Sequence, residues 1–127
     1  MRDGVILKPQ LSVEVFDEYL KVTLSGDGNP FAHVADINNI IMTVKKLSEE
    51  NKRIRVLVDA FNVPNVRDMQ KFYIGALVAT IFGNKFKLVM LRKPEHINKF
   101  AENMAANSGA NVHVESNEQK AISWLLT

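Results

Sequence analysis

The stretch Ile54-Arg55-Val56-Leu57-Val58-Asp59-Ala60, running on through Phe61-Asn62-Val63-Pro64-Asn65-Val66-Arg67-Asp68, decides the fold. Its first half is nearly continuous in apolar residues, the pattern of a strand covered on both faces of a sheet. Its second half is a polar loop, and beyond it Asp68 to Phe82 is almost wholly apolar and long enough for a helix. In an open α/β sheet, ligands and chemistry collect at the carboxyl ends of the strands. The loop Phe61 to Asp68 sits at such an end and contains no Ser, Thr, Cys or His. It offers neither a nucleophile nor a phosphate acceptor, which argues for a binding or interaction module over an enzyme.

Upstream of this unit, Leu11, Val13 and Val15 alternate with polar positions, and after Asp17-Glu18 the alternation resumes at Leu20, Val22 and Leu24. Period two on both sides of a short polar turn predicts a β-hairpin. Gly26-Asp27-Gly28-Asn29-Pro30 then breaks the strand, with Asn29 suited to cap a helix and Pro30 suited to its first turn. Phe31, Val34, Ile37, Ile41, Val44 and Leu47 follow at helical spacing, so a first amphipathic helix is expected to end near Glu50.

Downstream, Gly83-Asn84 stops the second helix and Phe86 to Leu91 reads as another central strand. Pro94 is expected to open a third helix striped by Ile97, Phe100 and Met104 and stopped by Gly109. Asn111 to Glu115 alternates as a half-exposed edge strand. Ser116-Asn117-Glu118-Gln119 has the spacing of a capping box before a last helix that buries Ala121, Ile122, Trp124 and Leu125. The order β-β-α-β-α-β-α-β-α predicts a mixed five-stranded sheet: a hairpin contributing one antiparallel strand near an edge, then parallel right-handed units, with four helices on the faces.

The 127 residues fit one domain, spanning 1–127, with a core large enough to need no disulfide or metal. Sixteen Lys and Arg against fourteen Asp and Glu leave a formal charge of +2, spread along the chain without an aromatic stacking platform. No nucleic-acid partner is therefore expected. The absence of cysteine excludes thiol catalysis and thiolate metal sites and suits a reducing cytoplasm. Residues Met1 to Gln10 lack the apolar core of a signal peptide, and Tyr73 to Phe82 covers about half the length needed to cross a bilayer, so no transmembrane segment is expected.

Parallel strands should gather four loops at one end of the sheet: Gly26 to His33, Asp59 to Asp68, Arg92 to His96 and Glu115 to Glu118. The candidate binding residues there are Asp59, Phe61, Asn62, Asn65, Arg67, Asp68, Arg92, Lys93, His96 and His33. Each has a structural reading beside the functional one. A carboxylate such as Asp59 at a strand end commonly accepts amide hydrogen bonds from the loop that follows. Gly26-Asp27-Gly28 could cradle an anion at a helix start, yet it lacks both the third glycine of a dinucleotide fingerprint and the Lys-Ser of a phosphate loop. His33, His96 and His113 fall on three elements without metal-site spacing, so neither metal nor cofactor is expected. Asn103, Asn107 and Ser108 read as a helix end.

The second helix carries more apolar surface than one stripe requires. Met69, Phe72, Tyr73, Ile74, Ala76, Leu77, Val78, Ala79, Ile81 and Phe82 cover nearly its whole circumference. The excess must meet another helix, a second subunit or a ligand. An isologous homodimer through Phe72 and Tyr73, an apolar-ligand pocket, and burial against the first helix all satisfy this.

Three further segments carry a resemblance. Phe82-Gly83-Asn84-Lys85-Phe86-Lys87-Leu88-Val89, then Lys99 to Ala110 with its Glu102-Asn103-Met104-Ala105-Ala106-Asn107-Ser108-Gly109-Ala110, then Ala121-Ile122-Ser123-Trp124-Leu125, resemble the SpoIIAA-like branch of bacterial STAS/SEC14-type domains. The resemblance covers Ile54 to Leu126. It implies a mixed sheet with helices against it, often paired into dimers. In anti-sigma-factor antagonists of this kind a serine ahead of the second helix is phosphorylated to switch partners. The matching stretch here, Val63-Pro64-Asn65-Val66-Arg67-Asp68, has no hydroxyl. The SEC14-like side of the resemblance implies an apolar pocket. The expectation is a non-enzymatic cytoplasmic module that self-associates, with a carrier of a small apolar ligand, held between the second helix and the sheet and met by Arg67 or Arg92 at its head group, as the alternative.

Overall fold

The computed structural model describes residues 10–25, 34–64, 67–97 and 111–127. Strands β1 (Gln10–Val15) and β2 (Leu20–Ser25) form the opening hairpin. Helix α1 (Val34–Glu50), strand β3 (Arg55–Asp59), helix α2 (Asp68–Phe82) and strand β4 (Lys87–Leu91) follow. A 3-10 turn at Pro94–His96, strand β5 (Asn111–Glu115) and helix α3 (Glu118–Leu126) complete the described chain.

The five strands stand in chain order across one sheet, β1-β2-β3-β4-β5. β1 runs antiparallel to β2 and every later pair is parallel. The predicted mixed five-stranded sheet is therefore present, with the hairpin at one edge and β5 at the other. Chain order has a simple origin: each right-handed crossover advances one place in the same direction. That places α1 and α2 on the same face, where they pack against each other.

Register assigns every strand residue to a face. Leu20 and Val22 of β2 align with Val56 and Val58 of β3, and Val56 with Leu88 of β4, while Leu24 continues the same face of β2. These side chains form the larger core, closed by Ile37, Ile40, Ile41 and Val44 of α1 and by Val78 and Phe82 of α2. Leu57, Val89 and Leu91 point to the opposite face and are sealed by Ala121 and Leu125 of α3. This second layer explains why Val56, Leu57 and Val58 are consecutively buried: central strands covered on both faces lose their alternation. β2 keeps it, with Lys21 and Thr23 on the α3 side only partly buried.

α1 closes with Lys52 amide on Glu49 carbonyl at 3.2 Å and Arg53 amide on Ser48 carbonyl at 2.9 Å, the paired bonds of a Schellman motif. Lys52 consequently takes a left-handed backbone, φ 56°. α2 closes at Gly83, φ 63°, whose amide donates to Ala79 carbonyl at 3.1 Å. The start of α3 differs from expectation by one residue. Asn117, not Ser116, is the N-cap, its Oδ1 accepting from Lys120 amide at 2.9 Å. Just ahead of the cap, Glu115 Oε2 accepts from the amides of both Ser116 and Asn117.

Among the described residues there are three α-helices against four expected. The helix anticipated from Pro94 begins as the 3-10 turn, and its continuation with Phe100, Met104 and Gly109 lies outside the described residues. So do Gly26 to His33, with the anion cradle and His33, and the Asn103, Asn107 and Ser108 cluster. Among the described residues no helix is long and apolar enough to cross a membrane.

Candidate functional site

The carboxyl ends of β3 and β4 are joined by a loop that the chain ties down with its own polar groups. Ala60 amide donates to Leu91 carbonyl at 3.2 Å, and Val63 amide turns back to Ala60 carbonyl at 3.1 Å. Asp59 Oδ1 accepts from Phe61 amide at 3.1 Å, the loop-stabilising role that a strand-end carboxylate offers. Phe61 drops onto the α3 side of the sheet, beside Leu57, Val89 and Leu91, whereas Val63 is buried on the α1/α2 side. The loop thus straddles the sheet end, anchored on both faces. Asn62 and Pro64 point to solvent.

Arg92 is the fastener beneath it. Its side chain is buried, 6% exposed. Nη1 donates to Ala60 carbonyl at 2.7 Å and Val63 carbonyl at 2.8 Å, and Nη2 donates to Pro64 carbonyl at 3.0 Å. His96 Nδ1 lies 3.4 Å from Nη2. Burial pulls the guanidinium pKa below its ordinary value, but arginine keeps its charge in proteins. Among the described residues no carboxylate pairs with it. The charge is instead solvated by three carbonyl dipoles, a fork geometry that lysine could not reproduce.

Two further polar groups line the α3 face. Lys21 Nζ reaches Glu118 at 2.9 Å and Asp59 Oδ2 at 3.9 Å. The hydrogen bond to Glu118 raises the Lys21 pKa. The Tyr19 hydroxyl is also pushed up, by burial and then by the charge of Glu118. Glu115 Oε2 accepts from Ser116 amide at 2.9 Å and Asn117 amide at 3.2 Å, while its Oε1 lies 3.4 Å from His113 Nε2. Burial works to raise the Glu115 pKa, but the amides of Asn117 and Ser116, together with His113, outweigh it and hold the value low. Trp124 of α3 lies against the His113 ring, centroids 5.1 Å apart, with Lys87 Nζ 4.6 Å from its centroid.

The structure brings Asp59, Arg92 and His96 to one loop but separates the apolar candidates. Phe61 is on the α3 face, and Tyr73 packs against the core of the other. Phe72 is 40% exposed. Arg67 is exposed; its amide donates to Gln70 Oε1 at 3.0 Å at the start of α2. Asn65 and the side chain of Asp68 lie outside the described residues. Lys93 is half-buried. Among the described residues no cluster of three or more His, Asp or Glu suited to a metal is found. The grouping of Glu115, His113 and Trp124 was not anticipated. The i, i+2 spacing on β5 does place His113 and Glu115 on one face, but nothing local indicates that α3 folds back over it.

The excess apolar surface of α2 is largely accounted for. Tyr73, Ile74, Leu77 and Ile81 pack partly buried on the core, and Ala79 meets Val112 of β5. Val78 and Phe82 of α2 pack with Leu88 of the sheet. An open groove of about 560 Å³ lies on the outer side instead, between α1 and α2, with Met42, Thr43 and Lys46 facing Thr80 and Ile81.

No protein-family model and no curated protein matches the chain. Its fold is that of a crystal structure of an uncharacterized DUF3478-family protein with a SpoIIAA-like fold from Shewanella loihica PV-4. The two superpose with a TM-score of 0.56 over 98% of this chain and 99% of that one, at 14% identity. The chain therefore has a SpoIIAA-like fold.

Proposed function

We propose that this SpoIIAA-like chain is a non-enzymatic cytoplasmic interaction module that self-associates and works without the phosphorylatable serine of anti-sigma-factor antagonists. The observation that carries the reading is the Arg92 clamp. The guanidinium is spent on three carbonyls of the β3–α2 loop, and Asp59 is spent on Phe61 amide. Polar groups at the sheet end thus hold a shape. That shape displays Asn62, Pro64, Arg67 and, at the start of α2, Met69, which is 81% exposed. The held segment 60–64, with an exposed methionine at the start of α2, suits recognition of another protein surface, because its ordering is already in place before binding.

Native mass spectrometry of the purified chain tests the self-association. A homodimer without added mass supports the reading. A monomer, or a species with a reproducible small-molecule adduct, overturns it in favour of the alternative, a carrier of a small apolar ligand. One observation favours that alternative: the open α1/α2 groove floored by Met42 and Ile81. On this reading the ligand lies outside the helices, with Lys46 beside it, and not between α2 and the sheet.

A further inference from the structure

β1 is an edge strand of unusual composition. Among the described residues it pairs only with β2. Natural edge strands are blunted by Lys, Pro or bulges, yet Gln10 to Phe16 contains neither Lys nor Pro and carries one charge, Glu14. Three of the eight exposed large apolar side chains among the described residues fall within four positions of it: Val13, Val15 and Phe16.

The phase of the free edge follows from one bond. Phe16 amide donates to Tyr19 carbonyl across the hairpin at 2.9 Å. Antiparallel bonding alternates along a strand, so Glu14, Ser12 and Gln10 turn their amide groups inward to β2. Leu11, Val13 and Val15 turn theirs outward, and their side chains share the α1/α2 face with Leu20, Val22 and Leu24.

From this we infer that two copies of the chain pair their β1 strands antiparallel about a two-fold axis through Val13, joining two five-stranded sheets into one of ten. The inference rests on the self-association proposed above and names its seam. Every register centred on a residue satisfies the outward phase, and those centred on Ser12, Val13 and Glu14 pair most of Gln10 to Phe16. Centring on Glu14 sets two carboxylates opposite each other, which is destabilising. Centring on Ser12 leaves Val15 without a partner within Gln10 to Phe16. Centring on Val13 avoids both: Val13 meets Val13, Leu11 meets Val15, and Glu14 meets the Ser12 hydroxyl. The outward amides of Leu11, Val13 and Val15 then all find partners, and their side chains close one apolar stripe across the axis.

The cysteine-free chain allows a register-specific test. Two Val13 Cα atoms in a hydrogen-bonded pair stand about 5.5 Å apart, within reach of a disulfide or a short bis-methanethiosulfonate. The two Val15 positions stand about 13 Å apart, four residues along the strand. Val13→Cys should therefore cross-link nearly completely on mild oxidation or with the reagent, while Val15→Cys should not, although Val15 is the more exposed of the two. In sedimentation equilibrium, the double variant Val13→Lys/Val15→Lys should weaken the dimer by about thirtyfold or more through like charges and lost apolar pairs. Its far-UV spectrum should be unchanged, and Met69→Asp should remain dimeric. A dimeric wild type that Met69→Asp splits and the lysine variant does not, with no Val13→Cys cross-link, overturns this seam and leaves self-association standing. A wild type monomeric at every concentration overturns both.

Discussion

Arg92 concentrates the energetics of the sheet end in one side chain. Its bonds to the Ala60 and Val63 carbonyls are buried and that to Pro64 is partly so, and a buried acceptor that loses its donor costs about 1–3 kcal/mol. Arg92→Met should therefore lower unfolding free energy by about 3 kcal/mol in urea titration, and Arg92→Lys should restore only a fraction, since one ammonium does not span three acceptors. Glu115 makes a pH prediction of definite sign. Its folded pKa is held below the ordinary glutamate value, so the unfolded chain takes up the proton first. The stability it contributes is complete above the ordinary value and is lost as pH falls through the folded one. Glu115→Gln should be less stable than wild type at neutral pH, and the two denaturation curves should converge in acid.

At the scale of the element, the two helix ends make opposite predictions. Lys52 holds a left-handed backbone at the end of α1 that glycine adopts freely. Lys52→Gly should raise stability by about 1 kcal/mol, seen as a rise of several degrees in calorimetric melting temperature. Gly83→Ala should lower it by a similar amount. An added Cβ there meets nothing within 4 Å, so the penalty is purely one of backbone conformation. The Gly83 stop was legible in the sequence because glycine announces its conformation. The Lys52 turn was not, because the Schellman bonds to Ser48 and Glu49 impose a conformation that lysine itself does not signal. α2 shows the same limit in packing: its apolar circumference could be read, but its division between α1, the sheet and solvent could not.

At the scale of the molecule, the sheet binds two apolar layers into one folding unit. Leu57 is fully buried beneath α3, while its neighbours Val56 and Val58 face α1 and α2. Leu57→Ala should cost about 3 kcal/mol in the denaturant midpoint. The single tryptophan, Trp124, reports the α3 layer by fluorescence, and far-UV circular dichroism reports the whole. The two transitions should coincide in wild type and variant alike if the layers unfold together.

The sequence by itself determined the strands, α2 to its boundaries, the hairpin at an edge and the mixed sheet, because those rest on hydrophobic period and on turn residues that act locally. It also placed Asp59 at a strand end and identified its loop-bonding option. Only the tertiary structure decided that Arg92 faces inward, that Phe61 and Tyr73 lie on opposite faces, and that Glu115, His113 and Trp124 meet. Those facts depend on which way each crossover steps and where α3 folds back. Such contacts join residues distant along the chain, and no local pattern encodes their direction.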